Sequence, residues 1–391
     1  MTRAEGSGRA IHGRVVSGFE DVRDAFAANF AEHGDVGAAC CVYRDGVPVV
    51  DVWAGLADHV AARPWLEDTV QIVFSATKGV TAACVHRLVE RGLLDLDRPI
   101  ASYWPEFAAR GKEAIPLRWA LCHAAGLAAV DGDLTLAEVL AWDPVVAAIA
   151  AQAPNWPPGT AHGYHARSFG WILGEVVRRV TGRSLGRLVA DEIARPLGLE
   201  LWVGAPDAVL PRCARIIPPE HPLALADLLG ADALTVRVMN GPSGLFAYDE
   251  MWNRADVLRA EMPSSNGVAS ARALARFYAA LVGDVDGVRL LAPATVAAAC
   301  AVHADGPDRV LLLPSRFGAG FMLQPLVAPG GGSSAFGHAG AGGSLGFADP
   351  DARLAFGYVT TRMRFDPTGD PRNRALVEAV YAAIGARSQK T

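Results

Sequence analysis

Strand patterns in this sequence lie near its two ends, and helical patterns fill the long stretch between them. Residues 37–58 read as two strands joined at Asp45-Gly46, a dipeptide that favours a two-residue hairpin turn. Strand patterns return only near the other end of the chain, at 317–325, 336–348 and 354–361. This order implies a discontinuous architecture, in which the two ends of the chain build one antiparallel sheet.

The predicted helices complete this architecture. Capping residues, glycines and prolines place most of them, and they are expected at 19–30, 78–91, from Thr135, and at 168–181, 184–195, 270–282 and 370–385. We predict an α+β fold. Its sheet domain comes from 1–74 and 305–391 and is flanked by the N- and C-terminal helices; a mostly helical domain, 75–304, is inserted. The irregular segment 203–263 is long for a plain loop and is predicted to be a lid or pocket wall. A site is expected in the cleft between the domains.

The composition excludes several classes of protein. With 51% hydrophobic residues, 20% charged residues and a formal net charge of -5, the chain is neither a basic nucleic-acid binder nor a charge-rich disordered protein. No run of 18 apolar residues predicts a membrane span, and Met1–Ala10 lacks the apolar core of a signal peptide, so we expect a cytoplasmic protein. No Cys-x-x-Cys pair, metal-ligand cluster or phosphate loop appears, and we predict neither a metal nor a cofactor.

Lysine is unusually rare in this chain. Only three of the 36 basic residues are Lys, at positions 78, 112 and 390, and the others are Arg. Codon usage accounts for the scarcity but not for the positions. Lys112 and Lys390 are predicted to lie at the surface, in a loop and at the C-terminus. Lys78 stands where Arg could not replace an amine that must lose its proton.

Ser75 and Lys78 form an S-x-x-K motif at the start of a predicted helix. Residues three apart lie on one face of a helix, so the lysine amine can reach the serine hydroxyl. Lysine can activate serine as a base only when neutral, and a pKa near 7 in place of about 10.4 costs roughly 4–5 kcal/mol. Chance predicts only about 0.1 such motifs in a chain with this Ser and Lys content. The alternative is a helix-capping Ser followed by a solvated Lys, which the helix dipole disfavours.

The residues around this motif resemble those of a known superfamily. The resemblance runs through nearly the whole chain, and its main segments are WAGLAD (53–58), SATKGVTAACVHRLVERGLLDLDRPI (75–100), LCHAAGL (121–127), WPPGT (156–160) and GHAGAGGSLGFADP (337–350). They resemble the serine β-lactamases and penicillin-binding proteins, and most nearly the class C β-lactamase-like carboxylesterases called family VIII. The resemblance implies a β-lactamase-like fold, with Ser75 as nucleophile and Lys78 as its base.

The resemblance also implies roles for residues far from Ser75. Tyr164-His165-Ala166 matches the Tyr-x-Asn motif, so Tyr164 would share a proton with Lys78, and the loss of Asn at 166 favours an esterase over a β-lactamase. The alternative is that Tyr164 lies in a turn and that its ring only packs against its neighbours. His165 would line the pocket or face solvent.

The third motif of the family, Lys-Thr-Gly, is represented here by His338-Ala339-Gly340. The resemblance implies that this strand, Gly342 and Gly343 line the substrate, and that the backbone N–H groups of Ser75 and Ala341 form an oxyanion hole. His338 lacks the permanent cation that holds a substrate carboxylate. It either donates a hydrogen bond to substrate or merely packs beside Ser75.

Other polar residues are weaker candidates. Ser344 lies in a G-x-S-x-G sequence typical of α/β-hydrolase nucleophiles, but that motif needs a following helix, and here a strand is predicted. His123 is expected to be structural, and His162 either lines the pocket or faces solvent. The stretch 264–267 is predicted to be a turn, with contact to substrate as the less favoured alternative.

We therefore predict a serine hydrolase that cleaves small carboxylic esters through a Ser75 acyl-enzyme. An acyltransferase would use the same acyl-enzyme with an amine or alcohol acceptor, so the sequence hardly separates the two. Amidase, D-aminopeptidase or weak β-lactamase activity is a further alternative. The non-enzymatic alternative is an acyl-binding sensor domain.

Overall fold

The computed structural model describes residues 10–220, 224–366 and 369–388. The expectations on Lys390 and on residues 1–9 lie outside the described residues. The strands, β1 to β13 in chain order, are His12–Val15, Gly37–Arg44, Val47–Asp58, Arg63–Pro64, Gln71–Ile72, Leu201–Val203, Gly267–Ala269, Ala304–Pro307, Pro314–Phe317, Met322–Leu323, Phe336–Ala339, Leu345–Asp349 and Leu354–Thr360. The α-helices, α1 to α14, are Glu20–Glu32, Thr77–Glu90, Leu117–Leu121, Leu136–Leu140, Asp143–Ala151, Ser168–Thr181, Leu185–Val189, Arg195–Leu197, Leu225–Leu229, Leu234–Met239, Ala255–Arg259, Ala271–Val282, Pro293–Ala299 and Pro371–Ser388.

The two ends of the chain pair with each other in one antiparallel sheet, as predicted. Its strand order is β1-β3-β2-β13-β12-β11-β10-β9-β8, and β4 pairs with β3 at one side. The first and last parts of the chain meet where β2 pairs with β13, with Ala38 opposite Thr360 and Arg44 opposite Leu354. A second sheet, β5-β7-β6, was not predicted. It connects the segment before Ser75 to two strands from the middle of the chain.

Helices cover both faces of the large sheet. On one face, Phe26 of α1 and Val380 of α14 pack with Val42 and Phe356 of the sheet, which confirms the predicted flanking helices. On the opposite face, α12 approaches so closely that a side chain at Gly357 would meet the backbone carbonyl of Ala271. α12 comes from the segment 75–304, which was assigned to the helical domain, although it packs on the sheet. We therefore propose the predicted division into two domains with α12 added to the sheet domain.

Two predicted strands are interrupted in the structure. The expected strand 336–348 is split into β11 and β12 by a short 3-10 helix, Ala341–Gly343. Gly342 and Gly343 have φ angles of 79° and 124°, far from the negative φ of a regular strand. The expected strand 317–325 is likewise divided between β9 and β10, because Gly320 turns the chain with a φ of 96°. Alternation of apolar residues does not reveal such turns, since glycine permits both conformations.

Two predicted helix ends were also wrong. The helix expected to stop before Pro196 passes through a π-helical turn, Ala190–Ala194, continues as α8 and ends at Gly198. In a regular α-helix the ring of Pro196 would clash with a backbone carbonyl of the preceding turn, and the wider π turn avoids this clash. The C-terminal helix starts at Pro371, as predicted, but continues through Gly385 to Ser388. No described helix is long and apolar enough to cross a membrane.

Lys112 does not lie at the surface, contrary to prediction. Its side chain is fully buried, and its ammonium donates hydrogen bonds to the carbonyls of Ala109 (2.7 Å), Ala150 (3.1 Å) and Gln152. These carbonyls come from two chain segments, and the lysine joins them. A loop sequence alone cannot show this, because burial depends on the packing of the distant helix α5.

We expect Lys112→Met to destabilise the protein without lowering activity per folded molecule. Three carbonyls would lose their buried donor, and each unsatisfied polar group costs about 1–3 kcal/mol, so the total loss should reach about 3 kcal/mol. Urea unfolding measures the change. Glu113→Ala, at an exposed neighbouring position, is the control and should change stability by less than about 0.5 kcal/mol. Equal stabilities of the two variants would contradict a structural role for the Lys112 contacts.

Candidate active site

Ser75 lies in a short 3-10 helix, Phe74–Ala76, that leads directly into α2. Phe74 has a φ of 46°, a left-handed conformation that costs a bulky residue energy and that clusters at functional sites. The surrounding backbone holds this bend, since Val73 N–H donates to the carbonyl of Gly267 (2.8 Å) and the Thr77 hydroxyl donates to the carbonyl of Phe74 (2.6 Å). Ser75 is therefore presented on a rigid turn between β5 and α2.

Lys78 follows one helical turn after Ser75 and is completely buried. Its Nζ lies 3.1 Å from the Ser75 Oγ and donates to the carbonyls of Ala166 (2.7 Å) and Ser264 (3.0 Å). Burial lowers the pKa of Lys78 well below its usual value, and the nearby Arg167 cation lowers that pKa further. The chain therefore places a lysine that favours its neutral form beside a serine hydroxyl.

Tyr164 reaches the same serine from a loop before α6. Its phenol donates a hydrogen bond of 2.7 Å to the Ser75 Oγ, and the ring lies beneath the Lys78 Nζ, 4.7 Å from its centroid. Burial raises the pKa of the Tyr164 phenol above its usual value. The backbone N–H of Tyr164 donates to the Asp308 carboxylate (3.0 Å), which holds the loop in place. Tyr164 is thus an uncharged donor.

The N–H groups of Ser75 and Ala341 belong to two short helices that face one cleft. The first N–H groups of a helix have no acceptor within it, so both are available to an oxyanion. Gly340 makes the close approach possible, because a side chain there would collide with the carbonyl of Val73 and the hydroxyl of Ser344. The geometry thus brings together Ser75, Lys78, Tyr164 and Ala341, as expected from the sequence.

The cleft around Ser75 is narrow, with an empty volume of about 260 Å³. Aromatic and polar side chains form much of its wall, and its lining residues are Phe74, Ser75, Tyr164, Ala166, Arg167, Tyr248, Trp252, Ser265 and Ala341. The second half of the segment 203–263 supplies two of them, Tyr248 and Trp252. No group of three or more His, Cys, Asp or Glu in the described ranges is placed to hold a metal ion.

Five residues predicted to bind substrate do not line this cleft: His165, His338, Ala339, Gly340 and Gly342. Both ring nitrogens of His165 are occupied, because Nε2 accepts from Leu127 N–H (3.0 Å) and Nδ1 lies 2.7 Å from the Gly163 carbonyl. A side chain at Gly342 would collide with Met363. Ala341, in the turn after β11, therefore lines the cleft, while its neighbour Gly342 packs against protein.

His338 is buried on β11, with its ring centroid 5.9 Å from that of Tyr164. Burial, and to a lesser degree the charge of Lys78, lowers the pKa of His338 to about 3. Its Nδ1 lies 2.7 Å from the carbonyl of Ala339, and its Nε2 is buried without a hydrogen-bond partner among the described residues. A neutral imidazole in this position cannot replace the cation of the Lys-Thr-Gly motif.

The other candidates are structural in this geometry. Ser344 precedes a strand rather than a helix, and its buried hydroxyl donates to the carbonyl of Val73 (2.7 Å), so its G-x-S-x-G sequence is not a nucleophile elbow. His123 Nδ1 accepts from the backbone N–H of His165 (3.1 Å), and the His162 ring bonds to the Ser315 hydroxyl (2.9 Å). Ser264 serves the site through its backbone carbonyl, which accepts from Lys78.

Arg167 is a cleft residue that the sequence analysis missed. It is buried, and its guanidinium donates to the carbonyls of Val238 (3.1 Å), Met239 (2.8 Å) and Phe246 (3.2 Å). The same group lies 4.8 Å from the centre of the Phe246 ring. Arg167 thus anchors the pocket wall and places a permanent cation near Lys78. The neighbouring motif Tyr164-His165-Ala166 indicated that Arg167 lies near the site, but it did not indicate which carbonyls Arg167 binds.

Comparisons with known proteins agree with this geometry. A sequence model of the β-lactamase family matches residues 22–381. The chain is 40% identical over 368 residues to the esterase/β-lactamase LipL of Mycobacterium tuberculosis, an alignment that covers 91% of this chain and 84% of that protein. This protein therefore belongs to the β-lactamase family.

Solved structures support the same assignment. A penicillin-binding protein homologue from Caulobacter crescentus superposes with a TM-score of 0.87 at 38% identity, covering 96% of this chain and all (100%) of that one. A family VIII carboxylesterase superposes with a TM-score of 0.86 at 37% identity, over the same shares of the two chains. The predicted β-lactamase-like fold is confirmed.

Proposed function

We propose that this protein is a serine carboxylesterase that hydrolyses small esters through a Ser75 acyl-enzyme. The observation that carries the proposal is the contact of the Ser75 Oγ with both Lys78 Nζ (3.1 Å) and Tyr164 Oη (2.7 Å) in a narrow cleft. The esterase names of the Mycobacterium tuberculosis relative and of the carboxylesterase structure support the same reaction. Ester hydrolysis needs a nucleophile, a base and donors for the oxyanion, and these residues can supply all three.

A neutral Lys78 amine can satisfy all three of its hydrogen-bond contacts. A neutral amine has two N–H bonds and one lone pair. The two carbonyls, of Ala166 and Ser264, can accept both N–H bonds, and the remaining contact is with the Ser75 Oγ. The lone pair is then directed at the hydroxyl proton of Ser75. Lys78 is therefore the base in the proposed mechanism, and the protonated Tyr164 is the acid.

Acylation in this mechanism carries the Ser75 proton to the leaving alcohol through three transfers. Lys78 takes the hydroxyl proton as the Ser75 Oγ attacks the ester carbonyl, and the N–H groups of Ser75 and Ala341 stabilise the negative oxygen. Tyr164 gives its proton to the alkoxide as the C–O bond breaks, and the Lys78 ammonium returns a proton to Tyr164. Water, activated by the same pair, then releases the acid and restores Ser75.

The cleft favours substrates with short acyl groups. Its small volume is bounded by Phe74, Tyr248 and Trp252, whose rings pack together with Phe74–Trp252 centroids 5.0 Å apart. Position 166 offers no side-chain amide and His338 is neutral, so two of the groups that hold a β-lactam in relatives are missing. We therefore expect slow turnover of nitrocefin compared with p-nitrophenyl acetate.

A p-nitrophenyl ester series tests this function. Acetate and butyrate esters should be cleaved with higher kcat/KM than octanoate, and mass spectrometry should find a fluorophosphonate attached to Ser75. Addition of an alcohol or amine acceptor measures the partition between hydrolysis and the acyltransferase alternative. An acyl label that never turns over would favour the sensor alternative. If neither the esters nor the fluorophosphonate forms a covalent adduct with Ser75, the acyl-enzyme mechanism is refuted.

Replacement of Tyr248 by Ala should relax the acyl-chain preference. The Tyr248 ring packs against Phe74 (centroids 6.0 Å) and Phe365 (4.9 Å), so its removal opens the pocket wall without touching Ser75. When a few methylene groups of the substrate acyl chain can bind in a pocket, kcat/KM changes by about 10-fold or more. We expect the ratio of octanoate to acetate kcat/KM to rise about 10-fold. Tyr103→Ala, a tyrosine remote from the cleft, should leave the ratio unchanged, and a change of similar size in both variants would argue against Tyr248 as a wall residue.

A further inference from the structure

The turn that carries the Ala341 N–H is held from behind by the first residues of α14. The guanidinium of Arg372 donates to the carbonyl of Gly342 (2.7 Å), and the side-chain amide of Asn373 donates to the carbonyl of Gly343 (2.9 Å). Both side chains are buried, and neither lines the cleft. Adjacent residues of one helix thus bind two consecutive carbonyls of the same turn.

Arg372 is itself fixed by a buried network. It donates to the Asp35 carboxylate at 2.8 Å, and neither side chain of this ion pair is exposed to solvent. It also bonds to Asp370 (2.6 Å) and to the carbonyl of Arg362 (2.9 Å). Asp35 accepts further hydrogen bonds from the hydroxyl groups of its neighbours on β13, Tyr358 and Thr360.

A buried network of this kind fixes the positions of the groups that it binds more reliably than it stabilises the fold. Buried ion pairs lose their hydration, so apolar residues of the same size often stabilise a fold as well or better. Here the network ends on a turn with two left-handed glycines, and a side chain at Gly343 would collide with Arg372 and Asp370. Such a turn has many accessible conformations, and the donors of Arg372 and Asn373 select one of them.

The selected conformation determines where the Ala341 N–H points. Gly340 N–H donates to the Ser344 carbonyl (2.7 Å), and Gly343 N–H donates to the Gly340 carbonyl (3.3 Å). A trans peptide is planar, so its N–H and C=O point in opposite directions. With the Gly340 carbonyl turned into the loop, the Ala341 N–H of the same peptide must face outward, and Ala341 lines the cleft.

We propose that Arg372 and Asn373 are positioning residues that aim the Ala341 N–H at the oxyanion. The proposal rests on the proposed esterase function. It assigns the geometry of the oxyanion hole to the contact between the turn Ala341–Gly343 and the start of the C-terminal helix. A purely structural role would affect the stability of the protein, but not the stabilisation of the transition state.

Asn373→Ala tests this proposal with little risk to folding, because the Arg372–Asp35 ion pair remains. We expect kcat for p-nitrophenyl acetate to fall about 10-fold with KM unchanged, and the affinity for phenylboronic acid, which forms a tetrahedral adduct with a serine Oγ, to fall by a similar factor. Hydrogen exchange of residues 340–344 should become faster. Arg372→Lys replaces a guanidinium that donates through all three nitrogens with a single ammonium, and it should show the same pattern more strongly.

Asn29→Ala is the matched control. Asn29 is a buried asparagine whose amide donates to the Arg372 carbonyl (3.4 Å), so it contacts the same helix start but not the turn. This variant should lose stability and keep the kcat and boronate affinity of the unaltered protein. A folded Asn373→Ala protein with unchanged kcat, boronate affinity and hydrogen exchange would overturn the proposal. An unaltered protein that cleaves no ester would instead refute the proposed function, while the exchange measurement would still report on the turn.

Discussion

Ser75→Ala should lower kcat for p-nitrophenyl acetate by at least about 10⁴-fold, because no other hydroxyl in the cleft can replace the nucleophile. The neighbouring Ser265 also lines the cleft, but the Lys78 and Tyr164 side chains both contact the Ser75 Oγ. The variant should fold normally, since it loses only one small polar group. Steady-state kinetics and intact-protein mass spectrometry with a fluorophosphonate measure the two consequences: loss of turnover and loss of the covalent label.

Ser344→Ala is the matched control for this experiment. It removes a buried serine hydroxyl from the G-x-S-x-G sequence, where it bonds to the Val73 carbonyl. We expect this variant to keep the covalent label and to lose less than about 10-fold in kcat, since the loss of one hydrogen bond costs about 1 kcal/mol. Retained activity in Ser75→Ala together with its loss in Ser344→Ala would reverse the assignment of the nucleophile.

Lys78→Arg should lower kcat by about 10³-fold, although it keeps a basic side chain at this position. A guanidinium does not lose its proton at a usable pH, so it cannot take the Ser75 proton. It would also place a second permanent cation near the buried Arg167. The measurement is single-turnover acylation, which isolates the step that needs the base. Lys112→Met, at the other buried lysine, should leave acylation per folded molecule unchanged.

The direction in which the acylation rate changes with pH tests whether Lys78 is the base. Burial and the Arg167 cation favour the neutral form of Lys78, so its pKa in the folded protein is depressed. Activity should therefore be absent at a pH below this depressed pKa, rise as the pH passes through it, and remain high above it. Burial lowers the pKa values of the neighbouring histidines His123, His165 and His338, so they also favour their neutral forms. A rate that falls as pH rises through neutrality would contradict a lysine base.

Local patterns in the sequence predicted the elements that local chemistry controls. The hairpin at Asp45-Gly46, the helix from Ser168 to Gly182 and the capping box at Thr135 all appear where expected. The spacing of Ser75 and Lys78 also sufficed to place both on one turn of helix. These features depend on neighbours within four residues, and backbone periodicity converts such spacing directly into geometry.

The resemblance to a family extended the prediction to Tyr164 and Ala341, which no spacing rule connects to Ser75. It also suggested five substrate-binding residues that do not line the cleft. The turn Ala341–Gly343 accounts for most of this difference, because its glycines redirect the chain after β11. Motif matching assigns a position along the chain, but the direction of each group depends on backbone angles that glycine leaves open.

The sequence by itself predicted the contact between Ser75 and Lys78 and the sheet built from both ends of the chain. Only the tertiary structure decided that Lys112 is buried, that Arg167 binds three carbonyls of the pocket wall, and that Arg372 and Asn373 hold the turn Ala341–Gly343. The two lysines illustrate the reason. Hydration, hydrogen-bond satisfaction and pKa depend on the segments that pack around a side chain, and these segments lie tens to hundreds of residues away in the sequence.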